Sequence, residues 1–217
     1  MSQRKYLTQS EVERLLQQAL AGGNAERDYC LIYMSFIHGF RVSEVCHLRL
    51  SDLDLRGHSL YIRRIKSGFS TSHPLLKDEL RAIRAWLTVR AGLPGADSDW
   101  VFLSRQGNAL TRQRVYQIIS QLGQAADISV VPHPHMLRHA CGFALADRGI
   151  DTRLIQDYLG HKNIRHTVRY TASNAERFEG VWHRPKNKRK SRQLGPNCKV
   201  VYSNCYKKPH LATKKVQ

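Results

Sequence analysis

The sequence predicts a mainly α-helical domain that carries one small antiparallel β-sheet. Three observations point there. Apolar residues recur at the i, i+3, i+4 spacing of a one-sided helix in successive segments. A single stretch, residues 59–75, is instead rich in β-branched and aromatic residues and is interrupted by Lys66-Ser67-Gly68. Hydrophobic residues make up 41% of 217, enough for a core and too many for wholesale disorder.

The elements follow in order. Thr8-Gln9-Ser10-Glu11 reads as a capping box opening a helix whose buried face is Val12, Leu15, Leu16, Ala19 and Leu20. Gly22-Gly23-Asn24 ends it. A second helix, about 25–38, is nearly all apolar over Cys30–Ile37, which places it at the centre of the core, with Gly39 expected as its C-cap. A short helix after Arg41 ends near Leu48, and SDLDLRG reads as a turn. Ser59–Ile65 and Phe69–Leu75 form a hairpin with Lys66 at its tip. A helix over 77–91 presents Leu80, Ile83 and Leu87 on one face, and WVFLS is extended. Thr111 caps a helix bearing Val115, Ile118, Ile119 and Leu122. Helices over 135–148 and 152–159 end at Gly149 and Gly160, and shorter ones are expected near 164–170 and 174–182. Residues 183–217 show no period and read as a flexible basic tail behind a domain spanning 1–182.

Charge narrows the function. The net charge is +18, from 35 Lys and Arg against 17 Asp and Glu. Residues 183–217 hold 11 of the basic residues and no acid, which leaves +7 on residues 1–182. A basic excess in both parts points to a polyanionic partner, foremost nucleic acid. No apolar run approaches the roughly eighteen residues of a membrane span, and the first residues lack the pattern of a signal peptide. A cytoplasmic protein is expected. Cys30, Cys46 and Cys141 then read as reduced core thiols, while Cys198, Cys205 and His210 match no standard zinc spacing. The absence of a G-x-x-x-x-G-K-[ST] loop and of an H-E-x-x-H pair leaves no expectation of a nucleotide, a metal or any other cofactor.

What remains is an ordered series of groups suited to a phosphate. Arg41 stands in HGFRVSE, Lys66 at the hairpin tip, His135 and Arg138 in HPHMLRH, His161 in LGHKN, and Tyr170 nine residues further on in RHTVRYT. This series resembles the motif set of the tyrosine site-specific recombinases, the lambda-integrase family. Their set is an arginine in G-x-R-x-S-E, a hairpin lysine, H-x-x-R, L-G-H and a following tyrosine. GFSTSHPL, HPHMLRHACGFALADRG and DTRLIQDYLGHKNIRHTVRYTASNAERF are similar, more narrowly, to the recombinases that invert the type 1 fimbrial promoter segment. The similarity covers about residues 5–182 and leaves out the tail.

The resemblance implies the catalytic domain of a DNA breaking and rejoining enzyme, without the N-terminal clamp domain of larger members. It implies that Tyr170 attacks a DNA phosphodiester to give a 3′-phosphotyrosyl link. Arg41, Arg138 and His161 would hold the non-bridging oxygens, His135 would assist proton transfer from Tyr170, and Lys66 would protonate the departing 5′ oxygen. Arginine suits the task because its planar fork donates two bonds at fixed geometry and keeps its charge. Glu44 reads either as the partner orienting Arg41 or as a surface i, i+3 charge pair. Tyr158 falls on an apolar stripe and reads as packing, and Tyr116 and Tyr61 lack the histidine nine positions upstream that Tyr170 combines with its basic flanks, Arg165 and Arg169. Arg112 and Arg114 are candidate DNA contacts. Implied partners are duplex DNA with inverted-repeat sites, further copies of the chain in a tetramer, and accessory DNA-bending proteins. The helix near 174–182 reads either as the element exchanged between protomers or as a cap on its own domain. The tail reads either as a DNA-binding arm or as an incidental extension. Two alternatives stand beside promoter inversion: a generic phage or mobile-element integrase, and a catalytically idle DNA-binding regulator.

Overall fold

The computed structural model describes residues 4–64 and 70–172. These fall within the first of two units into which the chain divides, Met1–Val181 and Trp182–Gln217. The hairpin tip with Lys66, the helix expected over 174–182 and the tail lie outside the described residues.

Eight α-helices and three short strands are present among the described residues: α1 (Gln9–Leu20), α2 (Ala25–Ile37), α3 (Val42–Cys46), β1 (Leu53–Asp54), β2 (Ser59–Ile62), β3 (Thr71–Pro74), α4 (Lys77–Arg90), α5 (Arg112–Ala125), α6 (Pro134–Asp147), α7 (Thr152–Leu159) and α8 (Arg165–Ala172). The capping box forms as read: the Thr8 hydroxyl accepts from the Glu11 amide and the Glu11 carboxylate accepts from the Thr8 amide. α2 is buried on every face from Arg27 to Phe36 and packs against α1, α4 and α6. Its C-cap is His38 rather than Gly39, and Gly39 follows it in the left-handed region at φ 56°.

The sheet is antiparallel in the order β1-β2-β3, one strand more than the sequence suggests. Two residues of SDLDLRG, read as a turn, pair with β2 through Leu53 opposite Leu60 and Asp54 opposite Ser59. So short a segment carries no alternation of its own, and its pairing follows from β2 lying alongside. WVFLS, expected to be extended, forms isolated bridges from Trp100 to Arg49 and from Leu103 to Ala109, with bends at Val101 and Phe102 between them. It is tied down by Trp86 Nε1 donating to the Val101 carbonyl and by the Arg90 guanidinium bonded to the carbonyls of Ala96, Ser98 and Trp100.

Beneath the sheet lies a wholly buried polar chain. His38 Nε2 meets Glu79 Oε1 at 2.5 Å, both side chains having no exposure, and His38 Nδ1 meets His73 Nδ1 at 3.1 Å. His73 in turn reaches Thr71 Oγ1 and packs at a tilt against the Tyr158 ring. Glu79 also accepts from the Leu76 amide at the start of α4. One carboxylate thus couples α2, β3 and α4. Removing one partner of such a buried pair costs roughly 3–5 kcal/mol, so Glu79→Ala is expected to lower the unfolding free energy by about 3 kcal/mol or more in urea denaturation. A loss under about 1 kcal/mol, the range of an exposed pair, would contradict this account.

Candidate active site

The site is organised by the end of α7. Asp151 caps the start of this helix by accepting from the Arg153 and Leu154 amides, and Ile155 and Leu159 bury its inner face. Gly160 ends it in the left-handed conformation, φ 62°. The last carbonyls of a helix have no partner within it and carry its negative dipole end. Here three consecutive ones accept from three arginines of different elements. Tyr158 O takes Arg64 Nη2 at 2.7 Å, Leu159 O takes Arg138 Nη2 at 2.6 Å, and Gly160 O takes Arg41 Nη2 at 3.4 Å.

Arg41 precedes α3, where its amide and its Nη1 bond the two oxygens of Glu44 at 2.9 and 2.7 Å. Glu44 is buried and spans two cations, since Oε2 also accepts from Arg64 Nη1 at 2.7 Å. Of the two readings of Glu44, the structure bears out the orienting partner. Arg138, one turn into α6, is buried and donates its other nitrogen to Gly39 O. Burial, then repulsion from Arg41 and Arg64, pushes its pKa down to about 10, which leaves it charged at neutral pH. Arg41 alone of the three guanidinium groups faces solvent appreciably, and it opens on a cleft of 380 Å³ lined also by Ser43, Arg112, Tyr116 and His135.

His161 follows the turn directly. Its Nδ1 pairs with Thr167 Oγ1 at 2.9 Å, and burial together with Arg138 and Arg41 lowers its pKa to about 3, so the ring is neutral. The Tyr170 ring lies nearly parallel to it, centroids 6.3 Å apart. Tyr170, on α8, is 1% exposed and packs against Cys141, Ala146, Ile155 and Leu159. It presses so closely on α6 that a Cβ at position 142 would lie 2.6 Å from its ring, which is why glycine stands there. Its hydroxyl lies 2.9 Å from His139 Nδ1. Burial raises the Tyr170 pKa, against the opposing pull of Arg138 and Arg169, and the phenol is protonated.

The structure therefore brings Arg41, Arg138, His161 and Tyr170 around one turn. The Tyr170 hydroxyl meets His139, while His135 lines the cleft with Arg41 and Arg112. The phenol is buried, because an aromatic side chain on the inner face of α8 finds a core to fill. Lys66 lies outside the described residues. Arg112 shares the cleft, whereas Arg114 turns along α5 to Gln117. Tyr158 is packing, as read, with its hydroxyl donating to Ile37 O.

Two participants escaped the sequence reading. Arg64 continues the alternation Leu60, Ile62 on the buried side of β2, a signal that was legible. His139 stands beside Arg138, but nothing in the sequence brings α8 to it.

The chain matches the phage integrase family over residues 5–177. It is 59% identical over 187 residues to the type 1 fimbriae regulatory protein FimB of Escherichia coli K12, covering 86% of this chain and 94% of that one. It is 55% identical over 185 residues to the type 1 fimbriae regulatory protein FimE of the same strain, covering 85% and 93%. The crystal structure of XerA recombinase superposes with a TM-score of 0.72 at 28% identity, over 86% of this chain and 67% of that one.

The buried histidines set a pH dependence. Burial, before neighbouring charges, lowers His139 to about 4 and His73 and His161 to about 3. Unfolded, each binds a proton near the ordinary value of about 6.5. Below that value the unfolded chain takes up more protons than the folded one, so this contribution to stability is complete above about pH 6.5 and is lost as pH falls toward 4 and then 3. The urea midpoint is expected to drop between about pH 7 and pH 5, and His139→Gln is expected to make the drop shallower. A midpoint unchanged over that range would contradict the neutral, buried assignment.

Proposed function

The chain belongs to the phage integrase family and is a tyrosine recombinase, an enzyme that cuts and rejoins DNA, and we propose that it inverts a promoter-bearing element to switch fimbrial expression. The observation that carries the catalytic part is the grouping of Arg41, Arg138 and His161 around the end of α7 with the Tyr170 ring against His161. The fimbrial part rests on the identity to FimB and FimE over nearly their whole length.

In the proposed reaction, Tyr170 leaves its buried position and its phenolic oxygen bonds to phosphorus as the bond to the 5′ oxygen breaks. The phenolic proton passes to an imidazole, the neutral His139 where the phenol is docked or His135 in the cleft. A proton is delivered to the departing 5′ oxygen, the role assigned to Lys66. Arg41, Arg138 and a neutral His161 donate to the non-bridging oxygens as they gain charge, and losing one such donor costs ~10²–10³ in rate. The phosphotyrosyl bond retains the energy of the phosphodiester, and attack by a second strand's 5′ hydroxyl reverses the step. Arg112 extends the basic cleft toward the DNA backbone. The proposal places residues 1–182 as the catalytic domain, acting in the cytoplasm on inverted repeats as a tetramer, with helper proteins that bend the DNA. In this assembly, residues 174–182 dock on the neighbouring protomer and the basic tail after 183 adds phosphate contacts.

On supercoiled DNA carrying the inverted repeats of a fimbrial promoter element, the protein is expected to invert the segment and form a covalent protein–DNA adduct. Tyr170→Phe is expected to bind that DNA and do neither. Binding without an adduct by the unaltered protein would favour the idle regulator. Because phosphate contacts dominate, affinity is expected to fall by ~10³–10⁵ between about 50 and 200 mM salt; a flat titration would contradict this mode of binding.

A further inference from the structure

We infer that Arg64 is a positioning residue for Arg41, holding the Glu44 carboxylate away from full pairing with the guanidinium that faces the cleft. The inference rests on the recombinase reading above. Arg64 has no side-chain exposure and lies at the end of β2, where the strand's alternation turns it inward behind Leu60 and Ile62. It divides its donors between Glu44 Oε2 and Tyr158 O, 2.7 Å each. Its stem runs so close to the α7 turn that a Cβ on Gly160 would lie 2.8 Å from its Nε.

The charge balance gives this arrangement its consequence. Glu44 is one carboxylate between two guanidinium groups, with Oε1 on Arg41 and Oε2 on Arg64. A carboxylate facing a single arginine favours two parallel bonds to it. Without Arg64, both oxygens and the whole negative charge of Glu44 would fall to Arg41, and a phosphate would compete with a fully paired guanidinium. With Arg64 present, half of the carboxylate is occupied elsewhere and Arg41 keeps an excess of positive charge toward the cleft. Arg64 also holds Tyr158 O, which fixes the carbonyl two residues before the one bonded by Arg41. Stability alone does not account for the pair, because a buried ion pair is often replaceable by apolar side chains without loss. The Nε of Arg64 is moreover buried without a partner among the described residues, an arrangement that stability alone disfavours.

The test uses the full chain and the inversion substrate, measuring the rate of covalent adduct formation at saturating DNA, the DNA affinity and the urea midpoint. Arg64→Met is expected to lower the rate by ~10- to ~100-fold, as loss of a residue supporting an active-site group typically does, while affinity changes less than about threefold. Adding Glu44→Gln to Arg64→Met is expected to recover part of the rate, because the competing charge is gone. Arg64→Lys keeps the charge but not the planar fork, and its rate is expected to fall between those of the unaltered protein and Arg64→Met. It supplies the comparison should Arg64→Met fail to fold. Wild-type rates in Arg64→Met or, if that variant does not fold, in Arg64→Lys would overturn the inference. So would a double variant no faster than Arg64→Met, or a loss that follows the folded fraction. An unaltered protein that forms no adduct would instead overturn the recombinase reading and this inference with it.

Discussion

Three arginines from three elements end on three successive carbonyls of one helix terminus, and the rest of the site depends on that convergence. Arg64 comes from the end of β2, Arg138 from α6 and Arg41 from the entry to α3, each meeting the last turn of α7. Like charges this close repel, and that repulsion adds to burial in lowering the pKa of Arg138. What offsets the repulsion is the negative end of α7 and a single buried carboxylate, Glu44. Among the described residues at the turn, positive charge remains in excess, and Arg41 presents it at the cleft.

The neutral groups follow from burial, reinforced by the same field. A histidine placed beside Arg138 and Arg41 and shielded from water does not hold a proton at neutral pH, so His161 is a dipolar donor or acceptor rather than a cation. His139 is neutral too, from burial before the charge of Arg169, and its Nδ1 can receive the bond of the protonated Tyr170 hydroxyl. The phenol is thus held by a neutral partner while the positive charge at the turn is carried by guanidinium groups that keep it. Tyr170 fills the core between α6, α7 and α8. Attack on DNA requires it to leave that packing, so the burial that stabilises α8 opposes the chemistry proposed for its tyrosine.

Much of this was legible in the sequence because it is local. Helix extents, the Thr8–Glu11 cap, the Gly160 terminus and the inward alternation of β2 depend on residues within a few positions of one another, where spacing and conformational preference act directly. The order of Arg41, His135, Arg138, His161 and Tyr170 also survives in the sequence, as a motif series. The third strand, the pairing of Glu44 with Arg64, the His38–Glu79–His73 chain and the meeting of His139 with Tyr170 were decided only by the tertiary structure. All but the strand pairing join segments far apart in the chain, and which polar groups meet in a dry interior depends on how whole helices pack. A sequence lists donors and acceptors, but only packing determines which of them are taken out of water together and so must bond to one another.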